Sequence, residues 1–530
     1  MTISPAAIDR FRNRQLKDSA FAKTIDPAQL DERIAALDPA PAFDIEPWHH
    51  QKVAFLLGAN YTGYNFWLDP GLGKTKVILE LVKWRKAKGD VECACVLVPF
   101  GANIQEWYDV AKEHTPSLKI GRVSGTAAEK RAAVEDETND VIVMTFAYFV
   151  RLMTRDAEKR NRKTGKMETV RVPDYERLAQ MASWCGFWCY DETTVSLRNH
   201  GSITVQLLRE LRKHVPYVYG LTGTPMNADP QDLWAQFMVV DGGATLGHTL
   251  GIYRGAYFKT SVNRWGGYQH KFLPEYTDDL ARIVRNRSVR YKDDECLDLP
   301  AMIGGLQGEG GYKILKADWT PAGRREYQKV CDELKASKGE YKAIDSAFIR
   351  MRQASSGYVG VKGDGGKKVE IEFSENPKVQ VLLDLIETLP ADRKIVVVAH
   401  LRATCGIIRK ALRKAKHKTE MLIGGMTDKK RTALLDAFRV GDSRVLVINE
   451  AGAYGLNIPQ AHYMVFFESP TTTIVRKQFE KRIHRGNSTH KAVYFEICMK
   501  ASHDEIILDC LRDDQDVYTT LIERGMEVSA

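Results

Sequence analysis

The sequence predicts an α/β fold of two tandem, doubly wound lobes, each a parallel sheet flanked by helices. Short apolar, β-rich runs alternate with amphipathic stretches, which is typical of parallel strands joined by crossover helices. These runs fall into two sets, separated by Gly-rich loops around residues 241–251 and 304–311. The chain has 530 residues, of which 44% are hydrophobic and 27% are charged. This composition is ordinary for globular proteins with sizeable cores and excludes a disordered or fibrous chain.

The first strand set is predicted at residues 93–99, 141–146, 187–191 and 217–222. The second set is predicted at residues 394–400, 444–449, 463–468 and 491–497. Helices are predicted at residues 76–88, 403–416 and 429–438. The lobe boundary is expected near Pro300, which gives an N-terminal accessory arm over 1–44, a first lobe over 45–300 and a second lobe over 301–530.

Composition and local sequence also predict the cellular compartment of the protein. No apolar run approaches the roughly 20 residues that span a bilayer, and the N-terminus lacks the apolar core of a secretory signal. The nine cysteines show no C-x-x-C spacing, so buried, reduced thiols are expected. These features predict a cytoplasmic protein, in the host cytoplasm if the chain is viral. The net charge of +9 permits a nucleic-acid partner without requiring one.

The strongest local signal is the segment DPGLGKT at 69–75, between an apolar run at 64–68 and a helical pattern at 77–84. A strand, a Gly-rich turn and a helix N-terminus direct backbone N–H groups at phosphate oxygens. Gly71 and Gly73 would allow the close approach, Lys74 would neutralise the β- and γ-phosphates, and the Thr75 hydroxyl would bind Mg²⁺. Because residue 68 is Leu and not Gly, the strict phosphate-loop pattern is not met, and a Gly-rich turn that carries a lysine is the alternative.

A pair of acids, Asp191 and Glu192, follows the apolar run that ends at residue 190. Carboxyl ends of parallel strands share one edge of a sheet, so this pair is expected near the phosphate loop. One acid can hold Mg²⁺ while the other polarises the attacking water. Paired acids at a strand end can also be merely solvated.

Read in order, these segments resemble the superfamily-two helicase motors, specifically the Swi/Snf-like branch of double-stranded DNA translocases. The first-lobe matches are PWHHQ (47–51), LDPGLGKT (68–75), LVPFGANIQEW (97–107), MTF (144–146), DETT (191–194), LTGTPMNADPQDLW (221–234) and RNRSVRYKDDECLDLP (285–300). The second-lobe matches are MRQ (351–353), IGGMTDKKR (423–431), NEAGAYGLNIPQAHYMVFFESP (449–470) and QFEKRIHRGN (478–487). The resemblance implies two RecA-like lobes with an ATP cleft between them.

The resemblance also implies roles for further residues of the ATP site. Gln51 would read the adenine edge, and Gly455 would allow the backbone to approach the nucleotide. Gln478 would help to place the water. Arg482 and Arg485, three residues apart and expected on one helical turn, resemble arginine fingers for the γ-phosphate. A solvated basic helix face is the alternative for this string. Residues 222–224 resemble the motif that couples hydrolysis to movement.

A nucleic-acid track is implied by the same resemblance, with contacts near Pro99, Thr145, His400 and Asn449. Residues 151–171 carry eight Lys or Arg against three acids and form a predicted basic insertion. Its central residues, Lys159, Arg160, Arg162 and Lys163, either contact phosphates or belong to a solvated hairpin. The sequence departs from the family at Asp69-Pro70, where Glu-Met is common, at Asn449, at 468–470 and at Asn487, which indicates a divergent, viral (phage) or bacterial member.

The leading interpretation is an ATP- and Mg²⁺-dependent motor that moves along the phosphate backbone of double-stranded DNA, independently of base sequence. A strand-separating DNA or RNA helicase of replication, recombination or repair is the alternative within the enzyme class. A DNA-binding module with a vestigial ATPase is the alternative outside it.

Overall fold

The computed structural model describes residues 4–14, 20–160, 165–197, 199–226, 230–262, 268–336, 341–362, 368–453, 456–485, 488–515, 517 and 520. The chain divides into two compact units, unit 1 (residues 1–297) and unit 2 (residues 298–530). Each unit contains one parallel, seven-stranded sheet. The predicted α/β class, with two tandem RecA-like lobes, is confirmed.

The strands of unit 1 are β1 (Gly63–Leu68), β2 (Ala94–Val98), β3 (Ile120–Arg122), β4 (Val141–Thr145), β5 (Thr154–Arg160), β6 (Met167–Pro173), β7 (Phe187–Tyr190), β8 (Tyr217–Leu221), β9 (Phe258–Val262), β10 (Tyr268–Phe272) and β11 (Ser288–Tyr291). Its α-helices are α1 (Pro5–Arg12), α2 (Pro27–Ala35), α3 (His49–Asn60), α4 (Lys74–Ala87), α5 (Gly101–His114), α6 (Ala127–Glu135), α7 (Phe146–Leu152), α8 (Tyr175–Trp184), α9 (Thr193–Ser196), α10 (Ile203–Leu211), α11 (Asp232–Asp241), α12 (Leu250–Tyr257), α13 (Thr277–Val284) and α14 (Asp293–Cys296). Two 3₁₀ turns span Ala20–Thr24 and Pro274–Tyr276.

The strands of unit 2 are β12 (Met302–Ile303), β13 (Ile314–Ala317), β14 (Tyr358–Lys362), β15 (Lys368–Glu372), β16 (Lys394–Val398), β17 (Thr419–Leu422), β18 (Val445–Ile448), β19 (Ala461–Phe466) and β20 (Ala492–Met499). Its helices are α15 (Pro321–Ala336), α16 (Tyr341–Ser355), α17 (Pro377–Thr388), α18 (Arg402–Lys414), α19 (Asp428–Arg439), α20 (Glu450–Ala453), α21 (Thr473–Glu480) and α22 (His503–Asp513).

The strand order in the first sheet is β11-β1-β8-β7-β2-β4-β3. In the second sheet it is β20-β19-β16-β18-β17, with β12 and β13 both pairing with β20. Parallel sheets covered on both faces need apolar side chains on both. In β2, Cys95 and Leu97 join one core cluster, whereas Ala94, Val96 and Val98 join the other. This two-sided burial explains why the strands read as continuous apolar runs.

The observed strands that correspond to the two predicted sets begin and end within two residues of the predicted bounds. Sequence reasoning missed β11, because its four residues include an arginine and follow the polar string RNR. It also missed the antiparallel hairpins β9–β10 and β14–β15, since neither belongs to the sheets. The hairpin β5–β6 lies in the predicted basic insertion.

The described part of residues 1–44 packs against unit 1. Phe11 of α1 is buried beside Tyr257, with ring centroids 6.2 Å apart, and Arg12 Nε donates to Ala256 O at 2.8 Å. Helix α2 packs against α3. Over the ranges that the structure describes, no helix is long and apolar enough to cross a membrane. All nine cysteines are free, and eight of them are buried, as the spacing predicted.

Candidate nucleotide site and nucleic-acid track

The phosphate loop has the predicted strand–turn–helix geometry. Strand β1 ends at Leu68 and α4 begins at Lys74. Gly71 and Gly73 have φ values of 94° and 77°, in the left-handed region that glycine adopts without steric cost. The first N–H groups of α4 have no partner within the helix, so the loop and helix end form an anion-binding position.

Lys74 lies where it can exchange a backbone contact for a phosphate. Its Nζ donates to Leu68 O at 2.8 Å and to Asp69 O at 3.4 Å. The ammonium group is thus held over the loop by neutral carbonyl oxygens, which a negatively charged phosphate oxygen can replace at a gain in electrostatic energy. Thr75 follows it in the first turn of α4 and is half-buried.

Gln51 lies in the first turn of helix α3. It is the third residue of α3, and its Oε1 accepts from Trp48 N at 3.0 Å. Its Nε2 donates to Leu72 O at 3.2 Å, beside a His50 Nε2 contact of 3.0 Å to the same oxygen. A Cβ at Gly73 would lie 2.3 Å from Gln51 Nε2. Glycine at this position is favoured by its φ, and a larger residue would also have to displace the Gln51 amide.

The acidic pair lies at the carboxyl end of β7, as predicted. Asp191 is buried, and burial together with the charge of Glu192 raises the pKa of its carboxyl above the ordinary value. The Trp107 indole N–H, which donates to Asp191 Oδ2 at 2.9 Å, and the nearby charge of Lys74 oppose this shift. The structure therefore brings the lysine of the loop and the acidic pair together.

Glu192 is held in an uncommon backbone conformation. Its φ of 47° lies in the left-handed region, which is unfavourable for a residue with a Cβ. Such conformations persist where the surrounding structure imposes them, and they concentrate at functional sites. Here Glu192 N donates to Asp191 Oδ1 at 3.0 Å and α9 begins directly afterwards.

A buried hydroxyl network joins Glu192 to the turn after β8. Thr222 Oγ1 lies 2.6 Å from Thr194 Oγ1 and 3.4 Å from Glu192 Oε2, and it accepts from Thr224 N at 3.1 Å. The Thr194 hydroxyl also donates to Thr224 O at 2.7 Å. The turn 222–224 is thus directly connected to the acidic pair.

Arg290 is a site residue that sequence reasoning missed. From β11, its Nη2 contacts Asp69 Oδ1 at 2.7 Å, and its Nη1 donates to Gly223 O. A Cβ at Gly223 would lie 2.9 Å from Pro70 Cδ, so the turn packs directly on the phosphate loop. Two features of the sequence pointed to this contact. One is an aspartate at position 69, where the family commonly has glutamate, and the other is an arginine-rich segment more than 200 residues later.

Trp107 is the second residue that was missed. It lies in α5, is almost fully buried, and holds Asp191 through its only polar atom. Because α5 begins just after Pro99 and Phe100, this helix connects the end of β2 to the acidic pair. The feature of the sequence that could have indicated this role is the tryptophan at the end of the family-like segment 97–107.

The predicted track residues of unit 1 lie at the ends of neighbouring strands. Pro99 follows β2, and Thr145 ends β4, where its Oγ1 accepts from Tyr148 N at 3.1 Å and caps α7. Lys159 and Arg160 lie in β5, and the exposed Arg160 donates to Gly165 O at 3.0 Å. Arg162 and Lys163 lie outside the described residues.

In unit 2, Gln478 is half-buried on α21, but Arg482 and Arg485 lie beyond the end of that helix. The expectation that they share a helical turn is wrong, because α21 ends at Glu480 and both arginines lie in the turn that follows it. The two guanidinium groups still converge, at 3.3 and 3.5 Å from Leu456 O. Both arginines are half-buried, so the arginine-finger role and the solvated alternative both stay predictions. Gly455 lies outside the described residues.

The other two predicted track residues differ in exposure. The side chain of His400 is exposed at the end of β16, while its backbone N–H donates to Glu468 Oε2 at 2.6 Å. Asn449 is buried, and its Oδ1 accepts from Gly452 N at 2.9 Å and Gly424 N at 3.3 Å. A phosphate contact at Asn449 would have to use its amide nitrogen, since its oxygen organises the local turn.

Comparison with known proteins matches one segment of each unit to a domain family. Residues 52–243 match the SNF2-related domain, and residues 377–487 match the helicase conserved C-terminal domain. The putative protein p41 of Acyrthosiphon pisum secondary endosymbiont phage 1 is 22% identical over 91% of this chain and 98% of its own length. The probable ATP-dependent DNA helicase CHR12 of Arabidopsis thaliana is 25% identical over 86% of this chain, which spans only 40% of that protein.

Among solved structures, the SWI2/SNF2 ATPase core of Sulfolobus solfataricus in complex with dsDNA aligns with 92% of this chain and 97% of that chain. The identity is 18% and the TM-score is 0.38. The domain matches cover both the phosphate loop with its acidic pair in unit 1 and the α21 segment in unit 2. The chain thus carries the SNF2-related and helicase C-terminal domains of a nucleic-acid-dependent ATPase.

Proposed function

We propose that the protein is a motor that uses ATP hydrolysis to move along double-stranded DNA. The observation that carries the proposal is the hydroxyl network from Glu192 through Thr222 to Thr224. It gives a change at the hydrolysis site a direct route to the turn after β8. A protein that only binds DNA has no use for such a connection.

The residues of unit 1 suit ATP as the substrate. Phosphate oxygens would replace the carbonyl partners of Lys74 and bind the N–H groups at the start of α4. Gln51 keeps one N–H and one lone pair beyond its two observed contacts, which fits an adenine edge. Glu192 would take a proton from the attacking water. In unit 2, the resemblance assigns Arg482 and Arg485 to the γ-phosphate and Gln478 to the water.

The same site fits Mg²⁺, since its donors are the hard oxygen ligands that this ion prefers. Thr75 Oγ1 and the Asp191 carboxylate would hold it. The raised pKa of Asp191 reflects a buried carboxylate beside a second acid, an environment that a cation relieves. When bound, the ion would neutralise charge on the β- and γ-phosphates. Trp107 would keep the Asp191 carboxylate in one orientation, as partners of metal ligands commonly do.

Duplex DNA as the polymer is supported by the SNF2-related domain and by the net charge of +9. Pro99 and Thr145 follow neighbouring strands at the sheet edge that carries the acidic pair. Contacts there, at His400 and at Asn449 would touch the backbone, so movement would be independent of base sequence.

The test is a comparison of steady-state ATPase rates with duplex DNA, single-stranded DNA and RNA, followed by displacement of a triplex-forming third strand from duplex DNA. We expect duplex DNA to stimulate turnover most, and the third strand to be displaced in the presence of ATP. Stimulation by RNA or single strands alone would contradict the proposal.

A strand-separating helicase is the second candidate, because the Arabidopsis relative carries that name. A forked duplex without a third strand distinguishes the two. We expect the fork to remain intact under conditions in which the triplex is resolved, and efficient unwinding of the fork would favour the helicase.

A further inference from the structure

The hairpin β9–β10 of unit 1 has no role in the ATP site and stands outside the sheet. Its base is fixed by aromatic packing. Phe258 is buried, and its ring centroid lies 5.4 Å from that of Tyr253 in α12 and 5.5 Å from that of Phe272 across the hairpin. The hairpin is therefore anchored at one end to the core of unit 1.

The far end of the described strands is open to solvent. Tyr268 is 75% exposed and its cross-strand partner Val262 is 67% exposed. An aromatic side chain held out on an anchored hairpin offers a flat, amphipathic surface to a partner.

The charge on the hairpin is of one sign. Lys259 lies directly opposite Lys271 in the register, and both are exposed. Like charges opposite each other destabilise a strand pair. Residues 258–272 contain no Asp or Glu, and they add Arg264 to the two lysines. The hairpin therefore cannot compensate this repulsion itself, whereas an anionic partner can.

The basic hairpin β5–β6 provides a contrast. There Asp156 lies opposite Arg171, with an ion pair of 3.8 Å, and Lys159 lies opposite Glu168 in the register. Its like charges are interleaved with acids on the facing strand. The two hairpins therefore differ in which residues face each other across the strands, and not in whether they carry basic residues.

The hairpin is also connected to the site of hydrolysis. Gln231, directly before α11, donates to His270 O at 3.5 Å and accepts from Arg254 Nε at 2.8 Å. In the same helix, Gln236 accepts from the Thr193 hydroxyl at 2.7 Å and donates to Pro225 O at 3.0 Å. The N-cap residue of α11 thus contacts the hairpin, and Gln236 in the middle of the helix contacts the residues beside Glu192 and Thr224.

We propose that the hairpin β9–β10 is a phosphate-backbone contact for duplex DNA, separate from the track at the strand ends. Lys259 and Lys271, on one face of the hairpin, bind DNA phosphates, and Tyr268, on the opposite face, packs against sugar and base edges on the other side of the hairpin. This inference rests on the proposed function, because it takes duplex DNA as the polymer. Through α11, contact with DNA at the hairpin would favour the conformation of the turn that Glu192 requires.

The test measures the affinity for a fluorescent duplex by anisotropy from 50 to 200 mM KCl. The test variant is Lys259→Gln/Lys271→Gln. The control is Lys119→Gln/Lys213→Gln, which makes the same change in net charge in unit 1 but removes lysines that are paired with Asp136 and Glu210. A third variant, Tyr268→Ser, removes a contact without removing charge.

Each lost phosphate contact reduces the slope of log affinity against log salt by about 0.9, so we expect the test variant to lose about 1.8. The control should keep the slope of the unaltered protein. Tyr268→Ser should weaken binding about fivefold at every salt concentration with its slope unchanged. The thermal midpoint of the test variant should stay equal or rise, since a like-charge pair has been removed.

A test-variant slope equal to that of the control overturns the proposal, and so does a Tyr268→Ser protein that binds as tightly as the unaltered one. These results differ from failure of the proposed function. In that case the unaltered protein would show no stimulation of ATPase by duplex DNA, whatever the hairpin carries.

Discussion

Substitution of Arg290 by Gln tests whether the last strand of unit 1 holds the phosphate loop and the turn 222–224 together. The Arg290–Asp69 pair is short, and its side chains are 35% and 16% exposed. Exposed ion pairs contribute about 0–1 kcal/mol, and removing one partner of a fully buried pair costs about 3–5 kcal/mol. The partial burial here places the pair at about 1–2 kcal/mol. The bond to Gly223 O, made by a charged donor, adds about 1.5 kcal/mol.

We therefore expect Arg290→Gln to lower the free energy of unfolding of unit 1 by about 2.5–3.5 kcal/mol. Because the lost contacts hold Asp69 and Gly223, kcat/KM for ATP should fall at least tenfold, which corresponds to about 1.4 kcal/mol. Asp69→Asn should cost about 1–2 kcal/mol, and the double variant should cost less than the sum of the two.

Urea unfolding, followed by near-ultraviolet circular dichroism, and steady-state ATPase kinetics measure these quantities. Arg282→Gln is the matched control, since its pair with Asp279 has the same Nη2–Oδ1 contact at 2.6 Å but lies on an exposed helix surface. It should change the unfolding free energy by about 0.5 kcal/mol or less. If Arg290→Gln behaved like this control, or if the double-variant costs were additive, Arg290 would not hold the two segments together.

Three further outcomes are expected at the ATP site. Lys74→Ala should abolish hydrolysis, and Glu192→Gln should retain ATP binding but turn over slowly. Fluorescent-nucleotide titration measures the binding, and single-turnover kinetics measure the hydrolysis. Near-normal turnover of Glu192→Gln would contradict its role as the general base. Arg482→Ala and Arg485→Ala should each reduce turnover about 10³-fold, as loss of an arginine finger does. A large loss of DNA affinity with intact hydrolysis would instead assign these arginines to the nucleic-acid track. Thr222→Val should leave buried partners unsatisfied and reduce DNA-stimulated turnover, while Thr222→Ser, which keeps the hydroxyl, should restore most of it.

Local sequence determined the parts of the protein that depend on neighbouring residues. The apolar runs of β2 and β16 predict buried parallel strands, because both of their faces must be covered. The phosphate loop was predictable because its geometry needs only a strand, two glycines and a helix start within about a dozen residues. The acidic pair could be placed near it because the carboxyl ends of parallel strands share one edge.

The tertiary structure alone decided which distant residues complete the site. Arg290 is 221 residues from Asp69 and Trp107 is 84 residues from Asp191, so no local pattern links either pair. The segment that carries Arg482 and Arg485 continues the pattern of α21, but the helix ends at Glu480 and both arginines lie in the turn after it. Their common approach to Leu456 O depends on how the chain folds around that turn, which no local pattern shows.

The hairpins show the same division between local and long-range information. Their basic residues are visible in the sequence, yet only the strand register shows that Lys259 faces Lys271 while Asp156 faces Arg171. A shift of one residue would exchange these neighbours, and turn geometry together with packing against the body of the unit selects the register. Composition therefore identified the basic insertion 151–171, and only the folded structure showed the facing lysines of the hairpin β9–β10.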